Sequence, residues 1–101
     1  MTTKITLVIN NPTELNAFEA SYQQVRKFAR TLPKLQRVES ARVWPKEDGT
    51  PTPAHRTLDL YFDSYEDASA AVATPAAGDL FQHLLATNTP FIALFSDIEE
   101  D

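Results

Sequence analysis

The sequence predicts an α+β fold: one four-stranded antiparallel sheet with the helices packed on a single face. Three observations predict it. Segments with every second residue apolar are interleaved with segments whose apolar residues recur every third or fourth position. Along the 101 residues these segments follow the order β-α-β-β-α-β. The junction Leu58-Asp59-Leu60-Tyr61-Phe62-Asp63-Ser64-Tyr65-Glu66-Asp67-Ala68 is a strand running straight into a helix. In it Leu58, Leu60 and Phe62 alternate with Thr57, Asp59 and Tyr61, and Ser64 with Asp67 forms a capping pattern.

The elements follow in order. In residues 4–10, Ile5, Leu7 and Ile9 alternate with Lys4, Thr6 and Val8, a strand with one strongly apolar face. Asn10-Asn11-Pro12 ends it, and Thr13 is the expected cap of the first helix. Leu15, Phe18, Tyr22, Val25, Ala29 and Leu32 form the inward stripe of that helix, which stops near Pro33. Residues 36–44 form a second strand. Val38, Ser40, Arg42 and Trp44 share one of its faces and Arg37, Glu39, Ala41 and Val43 the other, a mixture that suits a sheet edge. Residues 45–54 hold three prolines and a glycine and read as a loop. The third strand covers 55–62. A second helix covers 65–73 with Tyr65, Ala68 and Val72 inward. Thr74-Pro75 interrupts it, and it resumes over 76–86 with Leu80, Phe81, Leu84 and Leu85 inward. After Thr89-Pro90, Phe91-Ile92-Ala93-Leu94-Phe95 is a last strand, apolar on both faces.

Short connections and right-handed crossovers fold this order into the ferredoxin-like arrangement. Helices on one face leave the other bare. A last strand apolar on both faces, with Tyr61 on the bare side, then calls for a covering layer. A second copy about a two-fold axis supplies it, so a homodimer is expected.

Composition narrows the class. The length fits one domain over residues 1–101, and 43% hydrophobic residues suffice for a small core. Without cysteine the chain has no disulfide or thiolate chemistry. No stretch looks like a signal peptide or is long enough to span a bilayer, so the expectation is a cytoplasmic protein with no membrane partner. The formal net charge is -5, yet seven of nine basic residues lie between Arg26 and Lys46. Their spacing is loose and stacking aromatics are sparse, so nucleic acid is not an expected partner. Asp97, Glu99, Glu100 and Asp101 form a solvated acidic end.

The residues also resemble a known family. Pro53 to Ala68, Ala73-Thr74-Pro75-Ala76-Ala77-Gly78, Leu32-Pro33-Lys34-Leu35 and the ending Phe95-Ser96-Asp97-Ile98-Glu99-Glu100 look like the corresponding segments of EthD-type proteins. That family is named for a role in ethyl tert-butyl ether degradation. The resemblance implies a dimeric α+β barrel, two ferredoxin-like sheets facing each other, with a pocket for a hydrophobic small molecule between sheet and helices. Relatives of this architecture include cyclases, decarboxylases, isomerases and cofactor-independent monooxygenases. One departure stands out. The family carries a histidine midway along the first helix, where this chain has Tyr22-Gln23-Gln24-Val25-Arg26.

Few residues can carry chemistry. His83 and Asp59 are the candidate catalytic groups, an acid/base imidazole and a mid-strand carboxylate. The bland alternative for Asp59 is a salt bridge to Arg42 or Arg56, and for His83 simple packing. Tyr22, Trp44, Tyr61 and His55 are candidate ligand-binding residues; core or interface packing is the alternative for the tyrosines. Tyr22 and His83 are expected near the edge of one apolar cavity. Histidine spacing gives no metal motif, there is no phosphate loop or nucleophile elbow, and no cofactor is expected. Three roles remain open: an enzyme acting on a hydrophobic small molecule, a non-catalytic binder or accessory protein, and a structural dimer.

Overall fold

The structure is a computed structural model and describes residues 2–100. Asp101, counted above with the acidic end, lies outside the described residues. Seven elements follow one another: β1 (Thr3–Ile9), α1 (Leu15–Arg30), β2 (Arg37–Arg42), β3 (Arg56–Phe62), α2 (Tyr65–Val72), α3 (Pro75–Ala86) and β4 (Phe91–Asp97). The strands form one antiparallel sheet in the order β2-β3-β1-β4. The molecule measures 38 × 35 × 16 Å, a slab of one sheet and one helical layer. Among the described residues no helix is long and apolar enough to cross a membrane.

The core lies between these layers. Ile5, Leu7 and Ile9 of β1 and Leu58, Leu60 and Phe62 of β3 are buried on the helix side. Phe18, Tyr22, Val25 and Ala29 of α1, Ala68 and Ala71 of α2, and Ala77, Leu80 and Leu84 of α3 meet them. The alternation of β1 and β3 therefore reports burial faithfully, because both are central strands with one covered face. Ser64 caps α2, its hydroxyl accepting the Asp67 backbone N–H at 3.1 Å. Thr74 does the same for α3 from Ala77, and Pro75 occupies the first turn, where its missing N–H does no harm. The interrupted second helix is thus two helices.

Several expected positions differ. Glu14, without a side-chain cap bond, precedes α1 in place of Thr13. Leu15, Tyr65 and Leu85 were expected inward and are exposed. Each lies at the rim of the helical layer, where the helix overhangs the sheet and the stripe has nothing beneath it. Tyr65 instead leans on Phe95, ring centroids 5.7 Å apart. Ala71 and Ala77 complete the contact surface where small side chains let the helices approach closely.

The other face of the sheet is open. Register places Lys4, Thr6 and Val8 beside Thr57, Asp59 and Tyr61 on one side and Ile92, Leu94 and Ser96 on the other. Ile92 and Leu94 are 59% and 50% exposed, and Phe95 on the opposite face is 40% exposed, so the edge strand β4 shows apolar side chains both ways.

Candidate functional site

The polar centre of the helix side starts from a conflict in the sheet. The β2–β3 register sets Arg42 directly opposite Arg56, on the face that also carries Ser40. Like charges paired across strands repel. Glu19, reaching down from α1, resolves this. Its carboxylate accepts two hydrogen bonds from Arg56, at 2.9 Å from Nε and 3.0 Å from Nη2. A nitrogen of Arg42 stands 3.7 Å away and His55 Nε2 3.5 Å away from the same Oε1. The Arg56 hydrogen bonds hold the Glu19 carboxyl below the usual carboxylate range, partial burial opposing them and the nearby cations reinforcing them.

Tyr22 joins this cluster one turn along α1. Its ring lies under the Arg56 guanidinium, 4.6 Å from the centroid, and its hydroxyl is 2.7 Å from Ser40 Oγ. Burial pushes the Tyr22 phenol up, the Ser40 hydrogen bond opposing it, so the hydroxyl stays a neutral partner across the neutral range.

His55 stands at the bend that leads into β3. The bend turns its ring toward α1, where it meets Phe18 edge-on at 5.6 Å between centroids. His55 Nε2 is out of water and makes no hydrogen bond. The ring also walls a groove of 420 Å³, together with Arg42, Val43, Trp44 and Pro45. That volume lies in the range of small-molecule sites. Trp44 is 86% exposed, an unusual position for the one tryptophan of a small protein. A flat apolar wall, a largely exposed guanidinium and an imidazole thus meet in one place, backed by the Glu19–Arg56 pair.

The other sequence candidates fall elsewhere. Tyr61 and Asp59 are on the open sheet face. Tyr61 donates to Glu39 and carries the Arg37 guanidinium 4.3 Å above its ring. Asp59 accepts from the Thr6 hydroxyl and lies 3.8 Å from Lys4. The salt bridge weighed for Asp59 with Arg42 or Arg56 does not form, because both arginines point to the opposite face of the sheet and bind Glu19. His83 lies in the helical layer, its ring 5.0 Å from that of Phe28 and its Nδ1 3.1 Å from the Asp79 carbonyl. Asp59 and His83 are therefore on opposite sides of the sheet and share no site within one protomer. Tyr22 faces Ser40 and Arg56 while His83 packs on Phe28, so these two are not brought together either. Trp44 and His55 are.

Glu19, Ser40, Arg42 and Arg56 complete the cluster and were not singled out as site residues from sequence. For the two arginines the signal was their placement about the proline-rich loop, each seven residues from Gly49, as hairpin partners would be. Among the described residues no three His, Asp or Glu side chains gather as a metal site. Other hollows have poorer chemistry. One of 570 Å³ is edged by Thr2, Asp63, Ile98 and Glu100, with two carboxylates and no aromatic side chain among these residues. Another of 400 Å³ is edged by Gln36, Arg37 and Tyr61, with Thr2 and Ile98.

No family model matches the sequence, and no curated protein matches it. Solved structures do. An EthD (ethyl tert-butyl ether) family protein from Bacillus halodurans superposes with a TM-score of 0.89 at 16% identity, covering 98% of this chain and 100% of the other. The chain has the EthD-type fold. A dimeric ferredoxin-like protein of unknown function from Jannaschia follows the same fold, with a TM-score of 0.74, 12% identity and coverage of 97% and 100%. SnoaB, a cofactor-independent oxygenase from Streptomyces nogalater, does so with a TM-score of 0.72, 12% identity and coverage of 99% and 95%.

Proposed function

We propose that the chain is one cytoplasmic domain over residues 1–101 that pairs with a second copy and binds a hydrophobic small molecule in the groove beside Trp44. The exposed indole carries this reading: an aromatic ring left in water beside a built polar cluster is a surface for a ligand. The test is a calorimetric titration with 2-naphthamide, a flat neutral probe. Saturable binding is expected, and Trp44→Ala is expected to weaken it about tenfold or more, since stacking and lost contact area together exceed about 1.4 kcal/mol. Equal affinity in the two proteins would place the ligand elsewhere.

Pairing is supported by the exposed Ile92 and Leu94 on the open sheet face and by the dimeric description of the Jannaschia protein. Two such sheets face to face would make the dimeric α+β barrel. Sedimentation at micromolar concentration is expected to give a species of twice 11.3 kDa. An 11.3 kDa species alone would contradict the pairing.

A second reading, in which the bound molecule is also transformed, is favoured by one contact. His55 Nε2 lies 3.5 Å from the Glu19 carboxylate. An imidazole beside a carboxylate held ionised can take up and return a proton at the groove wall. The role of Asp59 or His83 as the acid/base group remains the alternative placement, on the open face or in the helical layer.

A further inference from the structure

We infer that the groove beside Trp44 selects a flat aromatic acid in its anionic form, the ring lying on the indole and the carboxylate paired with Arg42. The inference rests on the reading of this groove as the ligand site and goes on to name the class of molecule.

Charge counting in the cluster is the first argument. Two guanidiniums, Arg42 and Arg56, face one carboxylate, Glu19. Arg56 takes both oxygens of that carboxylate within hydrogen-bond distance and is itself largely buried, so this pair is internally neutral. Arg42 is left over. At 3.7 Å it lies beyond hydrogen-bond distance from Glu19, and its side chain is 63% exposed at the groove. The planar fork of a guanidinium matches a carboxylate edge to edge. In a chain of net charge -5, a largely exposed arginine, only loosely paired with Glu19 and held beside a second arginine, is a local reversal of sign.

The shape of the wall is the second argument. Val43, Trp44 and Pro45 are consecutive and bound the groove together with Arg42 and His55. An apolar strip ending at a cation is complementary to a molecule that is a ring at one end and an anion at the other. Of the two loop acids, Glu47 and Asp48, the Asp48 carboxylate is taken up within the loop, accepting from the backbone N–H and the hydroxyl of Thr50 at 3.0 and 2.7 Å.

The test compares 2-naphthoate with 2-naphthamide, which has nearly the same shape without the charge, by calorimetry on the intact protein. The anion is expected to bind about tenfold tighter or more, as a charge-assisted hydrogen-bonded pair requires. Raising the salt concentration should narrow this preference. Arg42→Gln should bring the two affinities within about twofold by weakening only the anion, and Arg42→Lys should keep part of the preference, having the charge without the fork. Equal affinities in the unmodified protein, or a preference that survives Arg42→Gln, would overturn the inference while continued binding of 2-naphthamide left the groove reading intact. Failure of both probes to bind would remove the two together.

Discussion

Phe62→Ala is expected to lower folding stability by about 3–5 kcal/mol, the range for emptying a well-packed aromatic site. Phe62 is fully buried and among the largest side chains in the core. It ends β3 on the helix side, with Leu60 two residues before it and Ile5 and Leu7 on the neighbouring strand. Its loss removes both the transferred area and the packing that fixes where α2 begins, its Ser64 cap coming two residues later. A domain of about 100 residues has about 5–15 kcal/mol in total, so this one change takes a large share. Thermal melting should fall by more than about 12 °C, given about 4–8 °C per kcal/mol at this size. Phe62→Leu, which keeps most of the volume, should fall much less. A drop of only a few degrees for the alanine variant would mean that the helical layer is not seated on β3 as described.

Glu19→Gln is expected to be the most damaging change in the polar cluster, at about 1.5–3 kcal/mol near neutral pH, the range for hydrogen bonds to charged groups. Partial exposure keeps the figure below that of a fully buried ion pair. The variant leaves Arg42 and Arg56 opposed across β2 and β3 with no anion between them. The effect should depend on pH in a defined direction. The Glu19 carboxyl is held below its ordinary value of 4.5, so the unfolded chain takes up the proton first as pH falls. The Glu19 contribution is thus full above about 4.5 and fades as pH drops through the lower folded value. Denaturation curves of Glu19→Gln and the unmodified protein should therefore converge in acid. A gap that stays constant from neutral pH into acid would show that the carboxylate charge is not what holds the arginines.

The fold was legible because its central elements obey simple periods. The alternation in β1 and β3 and the Ser64 cap are local properties, and local properties survive folding unchanged. The rims were less legible. Leu15, Tyr65 and Leu85 fit the helical stripe as well as Phe18 or Leu84 do, and only the width of the sheet decides which of them find a floor. The site was half legible. Trp44 and His55 border a proline-rich loop and could be noticed as candidates. Glu19 could not be singled out, since its role comes from the register that sets Arg42 opposite Arg56, and register is fixed by strand pairing across the loop. The same dependence explains Asp59. Arg56, three residues before it, and Arg42, opposite Arg56 on β2, are turned by the pleat to the other face, which leaves Asp59 to Lys4 and Thr6.

The location of the ligand site is the central claim, and an amide and indole NMR titration of the intact protein with 2-naphthamide tests it most directly. Trp44 is the single tryptophan, so its indole N–H gives one unambiguous resonance. The account predicts that this resonance shifts saturably, together with the backbone amides of Arg42, Val43, His55 and Arg56. Shifts gathered instead at Gln36, Arg37, Tyr61 and Ile98, around the 400 Å³ hollow at the opposite end of β2, with Trp44 unmoved, would contradict it.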